Sequence, residues 1–136
     1  MFFKKEEIKN NNFLTKVCAL LIHAAKIDEN YTNKEEEIIK KTLNELGLGD
    51  KNISKTIEEA KKIEESSNQI LDFTREVKNL PEQDKIKIVE ALWSIIYSNK
   101  DADIYETNLM RRLAGLLYID NKTMGDIKEK VKQNSL

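Results

Sequence analysis

Cysteine, proline and histidine occur once each and glycine four times in 136 residues. The single cysteine, Cys18, excludes an intrachain disulfide and any multi-cysteine zinc site, and it suits a reducing compartment. Four glycines and one proline are too few for the many tight turns of a sandwich or barrel. An excess of charge is also missing. The 23 basic and 24 acidic side chains leave a formal charge of -1, which gives nucleic acid and acidic lipid no global electrostatic handle. Nor is there a long hydrophobic run. The stretch Val17 to Ala25 is interrupted by His23 and is too short to span a bilayer. Glu6 and Glu7 precede it where a secretory leader has basic residues. The expectation is a cytoplasmic protein with no direct membrane insertion and no nucleic-acid partner.

What the chain does have is aliphatic residues at helical spacing. Leu, Ile, Val and Phe number 38, enough for one folded domain over residues 1–136 with a real core, about 1–10 and 133–136 being the ends that fray. Phe13, Leu14, Val17, Leu20, Leu21, Ala24 and Ala25 form a stripe that Cys18 and Ile22 widen until little of the circumference is polar, which predicts a central helix. Ile38, Ile39, Leu43 and Leu46 predict a surface helix closed by Gly47 in a left-handed turn. Ile53, Ile57, Ala60 and Ile63 predict another, and Ile70, Phe73, Val77 and Leu80 a fourth. After Pro81, a helix-starting residue, Ile86 to Ile96 predicts a second central helix. Leu109 to Leu117 and then Met124, Ile127 and Val131 complete about seven helices. The predicted class is all-α, a single-domain bundle.

Displacing the chain by 71 residues superposes Val17 on Ile88, Leu21 on Leu92, Glu35 on Glu106, Ile38 on Leu109 and Leu46 on Leu117. Each half is thus an apolar helix, a polar loop and an amphipathic helix, which predicts an internal pseudo-twofold repeat. If the two apolar helices cross at the centre, the loops emerge together and gather Asp28, Glu35, Asn99 and Glu106 into one oxygen-rich patch. Oxygens at alternate positions (Asp28, Asn30, Thr32 and Asn99, Asp101, Asp103) are similar to the opening of a calcium-binding EF-hand loop. The remainder excludes a conventional one: the sixth position holds Asn33 or Ile104 instead of glycine, and the twelfth Ile39 or Met110 instead of glutamate. Both glutamates also fit capping boxes, Thr32 with Glu35 and Asp103 with Glu106. Capping weighs more than ligation for these two. For Asp28, turn formation and ligation weigh alike.

The segments Ala91 to Glu106 (ALWSIIYSNKDADIYE) and Leu109 to Leu117 (LMRRLAGLL), with the earlier Leu20 to Asp28 (LLIHAAKID) and Glu35, resemble the tellurite-resistance protein TerB family. The family pattern has an apolar helix ending in Tyr-Ala-Asp-Gly, a glutamate six residues on, and then Arg-Arg-hydrophobic-Ala-x-Leu-Leu. The resemblance spans nearly the whole chain. It implies an all-helical domain with a pseudo-twofold repeat, no established enzymatic activity, acidic loop residues associated with divalent-metal binding, and a relation to stress-response proteins and to the N-terminal part of a membrane-anchored DnaJ-type co-chaperone. Asp28, Glu35 and Glu106 keep the family's acidic positions. Asn99 replaces its second aspartate, and Glu29 and Lys100 replace the glycines. Both changes at the second loop weaken attraction for a cation.

The remaining residues favour structural roles. His23 is expected to be a hydrogen-bonded boundary residue and Cys18 inert packing, about 140° apart around one helix. Trp93 and Tyr97, four apart, should pack on one another or on neighbouring helices. The basic pairs Lys40 with Lys41 and Arg111 with Arg112 lie on outer faces, solvated or paired with Glu36, Glu37 or Glu45, and Glu58 to Glu65 should be an exposed charged face. The leading expectation is a non-enzymatic helical module for stress response or protein interaction, with an unknown protein partner and a divalent cation, calcium by ligand type, at Asp28, Glu35, Asn99 and Glu106. A metal-dependent hydrolase or lyase using the same cluster, and a partner-binding bundle without metal, are the alternatives.

Overall fold

The computed structural model describes residues 2–26, 33–66, 71–75, 77–98 and 104–135. The described residues form helices α1 (Phe2–Ala25), α2 (Asn33–Glu45), α3 (Asp50–Ser66), a single turn α4 (Leu71–Thr74), a 3-10 turn (Val77–Asn79), α5 (Glu82–Tyr97), α6 (Ile104–Leu116) and α7 (Asn121–Ser135). The chain is all-helical, as its glycine- and proline-poor, aliphatic-rich composition requires. Helical structure reaches Phe2 and Ser135, into the segments where fraying is expected.

The two most apolar segments occupy the centre. On α1, Val17 to Ile22 are almost completely inaccessible, as are Ala24 and Ala25, so the helix is buried nearly all round. It touches α2, α3, α4 and α5. On α5, Ile88, Val89, Leu92, Ile95 and Ile96 are equally buried, and this helix packs on α1, α2 and α7. Each fully buried aliphatic side chain contributes about 1.5–3 kcal/mol, so these two helices carry much of the stabilisation. The amphipathic helices supply one face each: Ile39 and Leu43 from α2, Ile53, Ile57 and Ala60 from α3, and Met124, Ile127 and Val131 from α7. All of these residues belong to one contiguous core.

The predicted fourth helix is interrupted. Phe73 and Val77 are buried as its spacing requires, but they sit in two separate turns, α4 and the 3-10 turn. Pro81 ends the second of these turns, since Leu80, the residue before proline, is driven out of the helical region. The segment is also too short for helix propagation to offset nucleation. Pro81 then serves α5 from just outside it, its carbonyl accepting from the Asp84 and Lys85 amides at 3.0 and 3.1 Å.

Local geometry recurs at the same 71-residue offset as the sequence. Helices α2 and α6 begin and end in register (Asn33 with Ile104, Glu45 with Leu116), and α3 and α7 begin in register (Asp50 with Asn121). The turns match bond for bond. The Leu48 amide donates to Leu43 O at 3.0 Å and the Gly47 amide to Asn44 O at 3.0 Å; Ile119 donates to Ala114 O at 2.9 Å and Tyr118 to Gly115 O at 3.3 Å. Both are Schellman caps, and both place a left-handed residue after the helix: Gly47 at φ 104° and Tyr118 at φ 56°. The buried Lys85 ammonium adds a further cap to the second turn, donating to Leu117 O at 3.0 Å. Asp120, just before α7, caps it, its Oδ1 accepting from the Thr123 amide at 2.7 Å.

That backbone hydrogen bond holds the Asp120 carboxyl below its ordinary pKa of 3.8. A depressed folded-state pKa contributes stability above the unfolded value and loses it as pH falls through the folded one. Asp120→Ala is therefore expected to lower the melting temperature near neutral pH, with the gap to wild type closing as pH drops below 3.8. Asp120→Asn, which keeps the acceptor but not the charge, should stay close to wild type near neutral pH. A thermal melt series over pH checks both.

Candidate functional site

The two polar loops predicted to converge connect α1 to α2 and α5 to α6, and their described flanks do meet. Helix α1 closes with the Lys26 amide on Ile22 O at 3.0 Å, and α5 closes with the Ser98 amide and hydroxyl both on Ile95 O, at 3.2 and 2.6 Å. Helix α2 packs against α5, and Lys34 in its first turn extends its ammonium to Ser98 O at 3.5 Å. The second residue after the first loop thus touches the residue that immediately precedes the second loop.

Of the four candidate ligands, Asp28 and Asn99 lie outside the described residues. Glu106 lies in α6, with its side chain outside what is described. Glu35 is described: it stands in the first turn of α2, 1% exposed and not without a partner. Thr32, the other half of its proposed capping box, immediately precedes α2 in sequence and also lies outside the described residues. A carboxylate in the first helical turn is favoured by the helix dipole and by the unpaired amides there. Burial this deep requires that such a charge be compensated, and among the described residues no buried side-chain nitrogen or oxygen is left without a hydrogen bond.

A second charged group, missed in the sequence, lies at the same end of α1. Glu64 on α3, expected on an exposed face, is 9% exposed. Its Oε2 accepts from Lys26 Nζ at 2.7 Å and its Oε1 lies 3.4 Å from Nδ1 of the half-exposed His23. Hydrogen bonding to Glu64 raises the Lys26 pKa above its ordinary value. The signal was present: Ile53, Ile57, Ala60 and Glu64 follow one another at four, three and four residues, so Glu64 continues the buried stripe of α3. Nearby, Lys61 bridges to Glu36 of α2 at 3.6 Å. Ile22, Lys26, Lys61, Glu64 and Glu65 line a pocket of about 180 Å³, smaller than the ~300–1,000 Å³ usual for a small-molecule site. Lys26, Lys61 and Glu64 on its walls are already paired. His23 is the hydrogen-bonded boundary residue expected of it.

Other expectations resolve as packing. Trp93 and Tyr97 stack with centroids 5.9 Å apart, and the indole N–H of Trp93 points to Met124 Sδ at 3.4 Å, tying α5 to α7. Lys40 pairs with Glu37 within α2 at 3.7 Å. Among the described residues, no three His, Cys, Asp or Glu side chains cluster closely enough to hold a metal ion, and no helix is long and apolar enough to cross a membrane.

A family model described as tellurite resistance protein TerB matches residues 14–129. The match opens at Leu14, where α1 enters the core, and runs into α7, so it takes in both halves and both polar loops. No curated protein and no solved structure matches the chain.

Burial pushes the Cys18 thiol up to about 12, so almost no thiolate exists near neutral pH. Native protein is therefore expected to resist a thiol-modifying disulfide reagent such as dithionitrobenzoate at mildly alkaline pH and to react with one equivalent after unfolding in guanidinium. Rapid reaction of the folded protein would contradict the burial.

Proposed function

From the premise that the chain belongs to the TerB family, we propose that it is a non-enzymatic binding module whose loops 27–32 and 99–103 act together as a divalent-cation face. The observation that carries this reading is the reach of Lys34 to Ser98, which joins the flanks of the two loops. The donor set supports it chemically. Asp28, Glu35, Asn99 and Glu106 offer oxygen alone, the ligand type of hard cations, and Glu35 adds a carboxylate deep enough for a low-dielectric setting. A bound cation would lock the α1–α2 and α5–α6 connections together, and a partner would read the state of that face.

Lys34 and Lys100 place positive charge beside the same face, and Asn99 removes a negative one. Affinity is accordingly expected to be modest and calcium preferred, since calcium accepts irregular oxygen shells and neutral amide oxygens. The module needs no reaction: the thiol of Cys18 is held protonated, and Glu64 is committed to Lys26. A lone buried thiol also suits a reducing compartment.

Calorimetric titration with calcium, magnesium, manganese and zinc, each paired with a thermal melt, tests the proposal. Calcium should give a saturable heat and, at a hundredfold excess over Kd, about 2.7 kcal/mol of stabilisation. Asp28→Ala and Glu106→Gln should abolish it, and Asn99→Asp should tighten it. Absence of heat and of any melting shift at millimolar ion, or binding undiminished in Asp28→Ala, would leave a bundle that works without metal.

A further inference from the structure

The C-terminal turn of α6 breaks two local rules that its counterpart after α2 obeys. Gly115 lies in the last helical turn on an exposed face, and a Cβ built there meets nothing within 4 Å, so packing does not call for glycine. Three residues on, where the left-handed conformation favours glycine, stands Tyr118 at φ 56° and 69% exposed. The first unit has Asn44 and Gly47 at these places, the arrangement that stability favours. Both departures cost stability, and adjacent departures of this kind mark sites kept for another purpose.

Charge points to what that purpose is. Arg111 and Arg112 on α6 are exposed and form no ion pair or hydrogen bond among the described residues. In the first unit Lys40, the counterpart of Arg111, is paired with Glu37; the counterpart of Glu37 is the neutral Asn108. The chain's third arginine, Arg75, is exposed at the end of α4, which packs on α6, and Lys78 holds its ammonium 5.7 Å from the Tyr118 ring centre. A chain that otherwise uses lysine thus places two of its three arginines on α6 and the third just past the end of α4. Asp120, the acid two residues beyond Tyr118, is committed to capping α7.

We propose that this turn is a docking site for an acidic segment of another protein, its carboxylates held by Arg111 and Arg112 and an apolar side chain seated on Tyr118. Positions 111 and 115 are four apart and share one face of α6, and Tyr118 stands exposed in the left-handed turn just past the end of that helix. Gly115 leaves the backbone open between the two larger side chains, where a partner chain can approach closely. The planar guanidinium takes a carboxylate in two parallel hydrogen bonds, which an ammonium cannot do. Tyrosine and arginine are also the residues that dominate protein interfaces. The net charge of -1 disfavours extended polyanions such as nucleic acid or an anionic membrane, whereas a short acidic segment needs only this small patch. The site lies at the opposite end of α6 from loop 99–103 and names a partner class for the module without depending on the cation.

Fluorescence anisotropy with a fluorescein-labelled peptide of alternating aspartate and leucine tests the proposal, with phosphatidylserine vesicles and single-stranded RNA as competing probes. The wild-type protein should bind the peptide in a salt-sensitive way. The charge-reversal pair Arg111→Glu with Arg112→Glu should weaken it at least about tenfold. Tyr118→Gly should weaken it to a similar degree while melting no lower than wild type, because glycine suits the left-handed position. Lys40→Glu with Lys41→Glu, the equivalent change in the first unit, should leave binding intact. No binding by the wild-type protein, equal loss in the Lys40 and Lys41 variant, or tighter binding of vesicles or RNA than of peptide would overturn the assignment. Calcium titration of Tyr118→Gly should match wild type, so failure here and failure of the cation reading are distinguishable.

Discussion

Two helices that are apolar nearly all the way round, α1 and α5, have to be covered on every side, and the rest of the molecule follows from that demand. One partner cannot cover a helix of this kind; α1 needs α2, α3, α4 and α5 around it. The amphipathic helices are the covering layer, each giving a single buried stripe. Short connections force each covering helix to turn back beside the one it covers. The start of α2 and the end of α5 are thereby brought together, where Lys34 meets Ser98, while the Schellman turns after α2 and α6 close the opposite ends of those helices.

Recurrence at 71 residues makes the chain its own control. The starts of α2 and α6, the starts of α3 and α7, and the Schellman turns after α2 and α6 agree at this offset, so they belong to the architecture. Departures at this offset include Gly115 for Asn44, Tyr118 for Gly47, Arg111 for Lys40 and Asn99 for Asp28, and the proposed docking site and cation face draw on them. Some departures are compensated within the fold. Gly49 becomes Asp120, which caps α7, and the buried Lys85 ammonium strengthens the turn that the strained Tyr118 weakens. The exposed arginine pair has no such compensation among the described residues.

Much of this was legible in the sequence because apolar spacing reports burial directly. Helix α3, predicted from Ile53, Ile57, Ala60 and Ile63, spans Asp50–Ser66, and Gly47 takes the left-handed turn expected of it. Charged residues inside the apolar stripes were harder to place. Glu64 and Lys85 are buried at positions the helical period assigns to the core, yet a charge pattern alone describes them as solvated. Their partners lie 38 and 32 residues away, where local spacing gives no guidance. The break between α4 and the 3-10 turn was hidden for the opposite reason, since Phe73 and Val77 keep helical spacing across it. The strain at Tyr118 could be read only once the two turns were compared bond by bond.

The central claim is that the chain ends bounding the two polar loops lie side by side. Spin labels at Asn33→Cys and Ser98→Cys report on this directly, because the buried, protonated Cys18 stays unlabelled in folded protein. The doubly labelled protein should show marked dipolar broadening in its frozen-solution electron paramagnetic resonance spectrum relative to the sum of the two singly labelled proteins. A spectrum indistinguishable from that sum would contradict the account.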